Sequence, residues 1–147
     1  MPLVLAEDDV FAKAGTVYLA PNDHHLSIKA GTFRLRLEKG PQVNYVRPAA
    51  DPLFRSGADA FGSYGIGVVL TGMGRDGAAG AAHILKAGGT VLVQDPETAV
   101  APGMPKNVIE MGGATEVTGL VLLGRAITRH VGEVAVGLNA ALAQAAT

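Results

Sequence analysis

The sequence predicts an α/β fold, a parallel doubly wound sheet with flanking helices and a β-hairpin. The first indication is an apolar run rich in β-branched residues at 66–70, typical of a strand buried on both faces of a parallel sheet. A helix of small residues is predicted next at 77–87, followed by an apolar strand at Thr90–Gln94. A strand, a helix and a strand in this order predict a right-handed βαβ unit. The third indication is an alternating hairpin pattern nearer the N-terminus.

Short strands and the hairpin are predicted before this unit. Residues 3–6 form a short apolar run, and residues 17–20 indicate a buried strand. Residues His25–Lys29 and 33–37 alternate between apolar and polar positions on either side of a glycine turn, which predicts a β-hairpin. The apolar face of its second strand comprises Phe33, Leu35 and Leu37. Residues 42–50 have no regular pattern and are expected to form a loop.

A helix is predicted to follow this loop. Asp51 followed by Pro52 is a typical helix start, with the aspartate as the cap and the proline in the first turn. The helix is expected to end near Phe61. Its inward-facing residues are predicted to be Leu53, Phe54, Ala58 and Phe61.

The last third of the chain predicts smaller elements. We expect a short helix at 106–111, a brief strand at 114–117 and an amphipathic helix at 120–130. Residues 131–147 are rich in alanine and predict either a C-terminal helix or a tail. Because no repeat or linker divides the sequence, we expect residues 1–147 to belong to one domain.

Composition excludes several classes of function. The net charge of −1 and the absence of a basic stripe give no preference for nucleic acid. The chain has no cysteine, which excludes disulfides, thiolate metal sites and a cysteine nucleophile. No apolar run is long enough to span a bilayer, and the N-terminus lacks the pattern of a signal peptide. We therefore expect a cytoplasmic protein without membrane insertion.

The segment TGMGRDG at 71–77 is the strongest candidate for a functional loop. Gly72, Gly74 and Gly77 have the spacing of a dinucleotide-binding fingerprint, but Asp76 would repel the phosphates. Asp76 itself has two interpretations. Spacing alone favours a helix N-cap. Its place after a buried parallel strand also suits the acid of a nucleophile–histidine–acid triad.

Other candidate residues give weaker signals. The segment LVLAEDD at 3–9 is similar to the start of a phosphoacceptor receiver domain, but the long helix that such a domain needs does not follow. No serine lies in a G-x-S-x-G elbow. The chain has four histidines, of which His83 and His130 are expected to be surface or packing residues. His24 and His25 lie at a turn and could bind a metal, but no carboxylate spacing beyond Asp23 supports this. We predict no metal site.

Four segments resemble a known family. GVVLTGMGRDGAAG at 67–80 and AGGTVLVQDPETAVAPGMPKNVIEMGG at 87–113 are similar to the catalytic domain of CheB-type chemotaxis protein-glutamate methylesterases. GTVYLAPNDHHLSI at 15–28 and VRPAADPLFRSGA at 46–58 resemble it too. The resemblance extends to about residue 130 in the same order and spacing.

The resemblance implies a function and a site. Family members hydrolyse glutamyl methyl esters on the cytoplasmic helices of chemoreceptors, and many also deamidate receptor glutamines, with a Ser-His-Asp triad and no cofactor. The family's catalytic acid corresponds to Asp76. The methionine whose backbone N–H helps to bind the oxyanion corresponds to Met73. Gly72 and Gly74 would let the backbone approach the substrate ester.

The resemblance also implies that part of the domain is missing. In the family, the serine and the histidine precede the segment at which this sequence begins. We therefore expect an N-terminally incomplete catalytic domain that is inactive alone, with sheet edges exposed along the strands at 66–70 and 90–94. Its partners would be receptor helices, a complementing N-terminal segment or a second copy that pairs through such an edge. The alternatives are a non-catalytic receptor-binding module and one half of a split esterase.

Overall fold

A computed structural model describes residues 1–147, with seven strands, four α-helices and two short 3-10 turns. The strands are Leu3–Leu5 (β1), Val17–Leu19 (β2), His25–Lys29 (β3), Arg34–Glu38 (β4), Ile66–Val69 (β5), Thr90–Gln94 (β6) and Glu116–Thr118 (β7). The helices are Ala50–Phe61 (α1), Ala78–Lys86 (α2), Gly103–Glu110 (α3) and Leu120–Ala145 (α4).

The central sheet has three parallel strands in the order β5–β6–β7. In its register, Val68 lies beside Leu92, and Leu92 lies beside Glu116. Helix α2 connects β5 to β6, so the predicted strand–helix–strand unit with parallel strands is confirmed. The carboxyl ends of all three strands meet at one edge of the sheet, where open α/β folds place their functional loops.

Helices cover both faces of this sheet. Val91 and Val93 face the core that α1, α2 and α3 complete, whereas Leu92 packs on the other side against Leu123 and Ala126 of α4. These three central residues of β6 are fully buried, as expected for a strand covered on both faces. The doubly wound α/β class is therefore confirmed. The helical residues of the larger core are Ala58, Ala78, Ala81, Ile84 and Val108.

The first two strands form a separate parallel pair that makes no ladder with the central sheet. The prediction of a buried strand at 17–20 is wrong, because Val17 and Leu19 are 39% and 54% exposed. Tyr18, between them, packs against the small apolar cluster around Ala6. All three residues of β1 are exposed as well, so no other layer buries this two-stranded pair.

Strands β3 and β4 form the predicted antiparallel hairpin, with Leu26 opposite Leu37. Leu35 is buried, but Phe33 lies before the strand with a left-handed φ of 54°. Its ring stacks on Phe61 of α1, with ring centroids 5.6 Å apart. The predicted apolar face therefore holds for Leu35 and Leu37 and fails for Phe33, because the turn extends to that residue.

Helix α1 starts before the position that the sequence indicated. Its N-cap residue is Ala49, and Asp51 lies inside the helix with a buried side chain. The prediction that Asp51 caps α1 is wrong. Its carboxylate accepts a hydrogen bond at 2.7 Å from the backbone N–H of Gly80 in α2. Asp51 does cap a helix, but the neighbouring one.

The buried face of α1 is narrower than predicted. Ala58 is buried and Phe54 packs against the core, whereas Leu53 and Phe61 are 37% and 41% exposed. The prediction that both of these face inward is wrong. Together with Leu26, they line an apolar cavity of about 290 Å³ between α1, the hairpin and β5.

The C-terminal elements differ from prediction mainly in their bounds. Helix α3 starts at Gly103, three residues before the predicted start at 106. Strand β7 starts at Glu116, two residues after the predicted start at 114. Helix α4 continues to Ala145, so the helix alternative holds for most of residues 131–147. No helix of the chain, α4 included, combines the length and apolar character needed to cross a membrane.

The sheet edges also differ from expectation. The prediction that the strand at 90–94 has an exposed edge is wrong, because β6 lies between β5 and β7 and pairs with both. The two end strands, β5 and β7, each lack a partner on their outer side, and β5 is the first strand of the predicted unit. An edge of this kind presents N–H and C=O groups that can pair with another strand.

The close contact between α1 and α2 gives a stability prediction. A Cβ atom at Gly80 would lie 2.6 Å from the Phe54 Cβ atom, so Gly80→Ala forces the two helices apart. We expect a loss of about 1–3 kcal/mol in the free energy of unfolding. At Gly137, inside α4, a Cβ would meet no atom within 4 Å. There Gly→Ala should stabilise by about 0.5–1 kcal/mol through helix propensity. Urea unfolding of both variants checks this, and equal effects would contradict it.

Candidate functional site

The loop at residues 71–77 connects the carboxyl end of β5 to α2. It is fixed at its start, where the Thr71 N–H donates to the Gln94 side-chain oxygen at 2.9 Å. Gln94 is 1% exposed, so this anchor is buried. The loop then pairs with the segment before α3, because the Gly72 N–H donates to Ala101 and the Met104 N–H donates to Gly72, at 2.9 and 2.8 Å. Two strands of the sheet thus set the position of the loop.

Close packing in this loop depends on glycine. A Cβ at Gly72 would overlap the side chain of Met104, and one at Gly103 would lie 3.0 Å from the Gly74 nitrogen. Gly74 also has a φ of 83°, a conformation that side chains rarely adopt. Met73, between the two loop glycines, is 85% exposed. The loop therefore holds its backbone firmly while the Met73 side chain extends into solvent.

Asp76 faces the N-terminus of α1. One carboxylate oxygen accepts the Ala50 N–H at 2.6 Å, and the other accepts the Asp51 N–H at 3.2 Å. The Asn44 side-chain amide donates to Asp76 at 3.1 Å. The N-cap residue of α2 is Gly77, which makes no side-chain cap. Asp76 therefore caps a helix, as the N-cap interpretation predicts, but that helix is α1 and not α2.

The two helices cap each other. Asp76, just before α2, binds the N-terminal N–H groups of α1, while Asp51 of α1 binds the Gly80 N–H of α2. The Asn44 amide nitrogen donates to both carboxylates, at 2.8 Å to Asp51 and 3.1 Å to Asp76. Each carboxylate thus lies at the positive end of a helix dipole. This arrangement keeps two acidic groups close together at the carboxyl edge of the sheet.

Asn44 is the site residue that sequence reasoning missed. Its loop, predicted to be irregular, contains a two-residue hairpin in which the backbones of Val43 and Val46 exchange two hydrogen bonds of 3.1 Å. Asn44 and Tyr45 both have left-handed φ values, 53° and 67°, as a type I′ turn requires. Asparagine tolerates that conformation better than most residues. Because the turn contains no glycine, its sequence does not show the usual pattern of a hairpin turn.

Arg47 anchors the Asn44 turn to the hairpin. It donates to the Gly40 carbonyl at 2.6 Å and to the Asp23 carboxylate at 2.8 Å. Hydrogen bonds from Arg47 and then from Lys39 hold the pKa of Asp23 below its usual range. The ion pair is therefore maintained at neutral pH, and the loop that carries Asn44 is attached at its base.

No histidine of the chain is hydrogen-bonded to Asp76. His25 is buried under α1, where its Nδ1 accepts the Ala49 N–H at 3.2 Å and its Nε2 lies 2.9 Å from the Pro41 carbonyl. His130 contacts Glu116 and Glu133 at the other end of the molecule. His24 is tied to its own turn and His83 is exposed. His83 is thus a surface residue and His130 a packing residue, as predicted, and His25 is a packing residue too. No three His, Asp or Glu side chains form a cluster suited to a metal ion.

Comparison with known proteins identifies the family. Residues 1–127 match the model of the CheB methylesterase family. The chain belongs to this family. It is 45% identical over 127 residues to the protein-glutamate methylesterase/protein-glutamine glutaminase of Maricaulis maris, covering 85% of this chain and 32% of that protein. It is 44% identical to the protein-glutamate methylesterase FrzG of Myxococcus xanthus, covering 86% of this chain and 37% of that protein.

A solved structure supports the same assignment. The CheB methylesterase catalytic domain of Thermotoga maritima superposes with a TM-score of 0.77 at 41% identity, covering 86% of this chain and 67% of that domain. The resemblance inferred from the four sequence segments is therefore confirmed, as is the α/β fold. The chain spans about a third of the length of the curated relatives it matches, since the aligned share of those proteins is 32–37%.

The capping role of Asp76 can be tested by stability. Asp76→Ala removes the acceptor for two N–H groups of α1, so we expect a loss of about 1–2 kcal/mol in the free energy of unfolding. Asp59 is an exposed residue of the same helix with no ion pair, and Asp59→Ala should change stability by no more than about 0.5 kcal/mol. Chemical denaturation measures both. A neutral Asp76→Ala would disprove the capping role.

Proposed function

We propose that this chain supplies the acid and the oxyanion-binding loop of a protein-glutamate methylesterase that acts in the cytoplasm on chemoreceptor helices. The names of the relatives add glutamine deamidation as a second reaction of the same site. The observation that carries the proposal is the environment of Asp76. It lies at the carboxyl edge of a parallel sheet, and three donors of this chain fix its orientation.

The hydrogen bonds of Asp76 support its role as the acid. An ionised carboxylate accepts about four hydrogen bonds, and Ala50, Asp51 and Asn44 supply three. Capacity therefore remains for the N–H of one imidazole. A carboxylate in this position fixes the tautomer of the imidazole and stabilises the cation formed when it takes up a proton. Because the helix α1 holds Asp76, the acid is oriented before any substrate binds.

The backbone of the loop supports the oxyanion role. None of the N–H groups of residues 73–77 donates to an acceptor within the chain, although the loop itself is anchored at both ends. Rigidly held N–H donors of this kind stabilise the negative oxygen of a tetrahedral intermediate. Met73 is the donor indicated by the family resemblance. Gly72 and Gly74, on either side of it, leave room for a substrate to approach.

In the proposed reaction, a serine oxygen attacks the carbonyl carbon of the glutamyl methyl ester and the imidazole accepts the serine proton. The tetrahedral intermediate then expels methoxide, which leaves as methanol with that proton. Water hydrolyses the acyl-serine and yields the glutamate carboxylate. Asp76 stabilises the imidazolium in both steps, and the Met73 N–H stabilises the oxyanion.

The serine and the histidine would come from a segment that pairs with the outer edge of β5. That strand is at the sheet edge, and the Thermotoga maritima domain contains residues beyond the 67% that this chain covers. A segment that follows this edge would place its own carboxyl-end loops beside Asp76, since parallel strands end at the same side. The same edge would also allow pairing with a second copy or with a separate complementing chain.

The test is hydrolysis of a glutamyl methyl ester by the complete gene product, measured as methanol release. Asp76→Asn should lower kcat by about 10³–10⁴-fold, because an asparagine favours the wrong imidazole tautomer. Asp59→Asn, in α1 and away from the loop, is the matched control and should leave kcat unchanged.

Each other result has a clear meaning. Near-normal turnover by Asp76→Asn would disprove the catalytic assignment. Receptor binding without hydrolysis by the wild-type protein would favour a non-catalytic module. Hydrolysis that appears only when a second chain is added would favour a split esterase.

A further inference from the structure

A cleft next to the acid carries charges that the proposed chemistry does not use. A cavity of about 290 Å³ lies between the Asn44 turn and the first turns of α1 and α2. Among the residues that line it are Arg55, Arg75, Asn44, Asp51 and Met111. Arg75 immediately precedes Asp76 in the chain, so the cleft opens beside the proposed catalytic loop.

The two arginines of this cleft have no acidic partner. Arg34, Arg36, Arg47 and Arg129 each form an ion pair with a carboxylate of the chain. Arg55 and Arg75 form none, and both are exposed. The one contact of the Arg75 guanidinium is from its Nε to the Asn44 side-chain oxygen, at 3.4 Å. Its terminal nitrogens therefore remain available to a ligand.

The acidic side chain in the cleft does not neutralise these arginines. Asp51 is 5% exposed, and its two oxygens accept from the Asn44 amide at 2.8 Å and the Gly80 N–H at 2.7 Å. Its charge is directed into the contact between α1 and α2. Two guanidinium groups with five N–H donors each thus face a cavity large enough for a side chain.

We propose that this cleft binds a carboxylate side chain of an acidic peptide, close to the ester that the same peptide presents to Asp76. The inference rests on the proposed function and adds a specificity determinant to it. Each hydrolysis converts a neutral methyl ester into a glutamate carboxylate, so a substrate segment with several glutamates becomes more acidic as the reaction proceeds. Arg55 and Arg75 would recognise a glutamate that is already free. Arginine suits this task because its planar fork can bind a carboxylate through two hydrogen bonds.

Peptide binding to the present chain tests the cleft directly. The probe is a fluorescein-labelled peptide with one glutamyl methyl ester flanked by glutamates, and its partner has glutamines at the flanking positions. We expect fluorescence anisotropy to give a Kd about tenfold lower for the glutamate peptide at low salt, and a smaller difference at 0.3 M NaCl. Combined Arg55→Gln and Arg75→Gln substitution should abolish that difference and leave binding of the glutamine peptide unchanged.

The control is Arg125→Gln, because Arg125 is also exposed and unpaired but lies on α4. It should keep the preference for glutamate. Equal Kd values for the two peptides, no binding below about 1 mM, or an equal effect of Arg125→Gln would each overturn the proposal. Arg55→Gln alone breaks no hydrogen bond of the chain, so it provides a folded variant if the double one unfolds.

Failure of this inference differs from failure of the proposed function. With the complete gene product, the cleft affects KM for glutamate-flanked esters and leaves kcat unchanged. If hydrolysis occurs with equal KM values for the two peptides, the cleft proposal is wrong and the esterase assignment stands. If no methyl ester is hydrolysed while the glutamate preference persists in binding, the esterase assignment is wrong and the cleft remains a peptide-binding site.

Discussion

The reciprocal capping of α1 and α2 is the interaction on which the site depends. Each helix leaves N–H groups unpaired at its first turn, and in both cases a carboxylate from the other helix or its leading loop accepts them. Asp76 and Asp51 thus stabilise the helix pair and are oriented by it. Gly80 makes this possible, because any larger residue would separate the first turns of the helices. Asn44 donates to both carboxylates and reduces the cost of placing two negative charges together.

Sequence patterns predicted correctly those elements whose structure depends mainly on neighbouring residues in the chain. The bounds of the strand Thr90–Gln94 are as predicted, since an apolar β-branched run preceded by two glycines and followed by Asp95-Pro96 has few alternatives. The helices that Asp51 and Asp76 cap were misassigned, because capping rules refer to a residue's own helix, whereas the nearest unpaired N–H group depends on how helices pack. Val17 and Leu19 were misassigned because an apolar strand is buried only where another layer covers it. Asn44 was missed because its turn contains no glycine and its partners are distant in sequence.

The division of the parallel strands has a physical consequence. The pair β1–β2 and the sheet β5–β6–β7 do not pair with each other, yet the apolar cavity under Leu53 and Phe61 lies between the hairpin and β5. An apolar surface that lines a cavity of about 290 Å³ is normally covered by another layer of secondary structure. The outer edge of β5 and this cavity are adjacent, because Ile66 of β5 lines it. Strands that extended the sheet from β5 would cover both features at once.

Asn44 connects Asp76 to the charged cleft. Its amide nitrogen donates to Asp76 and its amide oxygen accepts from Arg75, so one side chain orients neighbouring residues of opposite charge. The Asp76 carboxylate is held against the N-terminus of α1, and Arg75 lines the cleft. A carboxylate that binds Arg75 competes with the Asn44 oxygen, whose contact of 3.4 Å is long for a hydrogen bond. The shorter bonds from Asn44 to Asp51 and Asp76 do not depend on that contact. In the proposed enzyme, occupation of the cleft would therefore leave Asp76 in place, and substrate recognition would be separated from the orientation of Asp76.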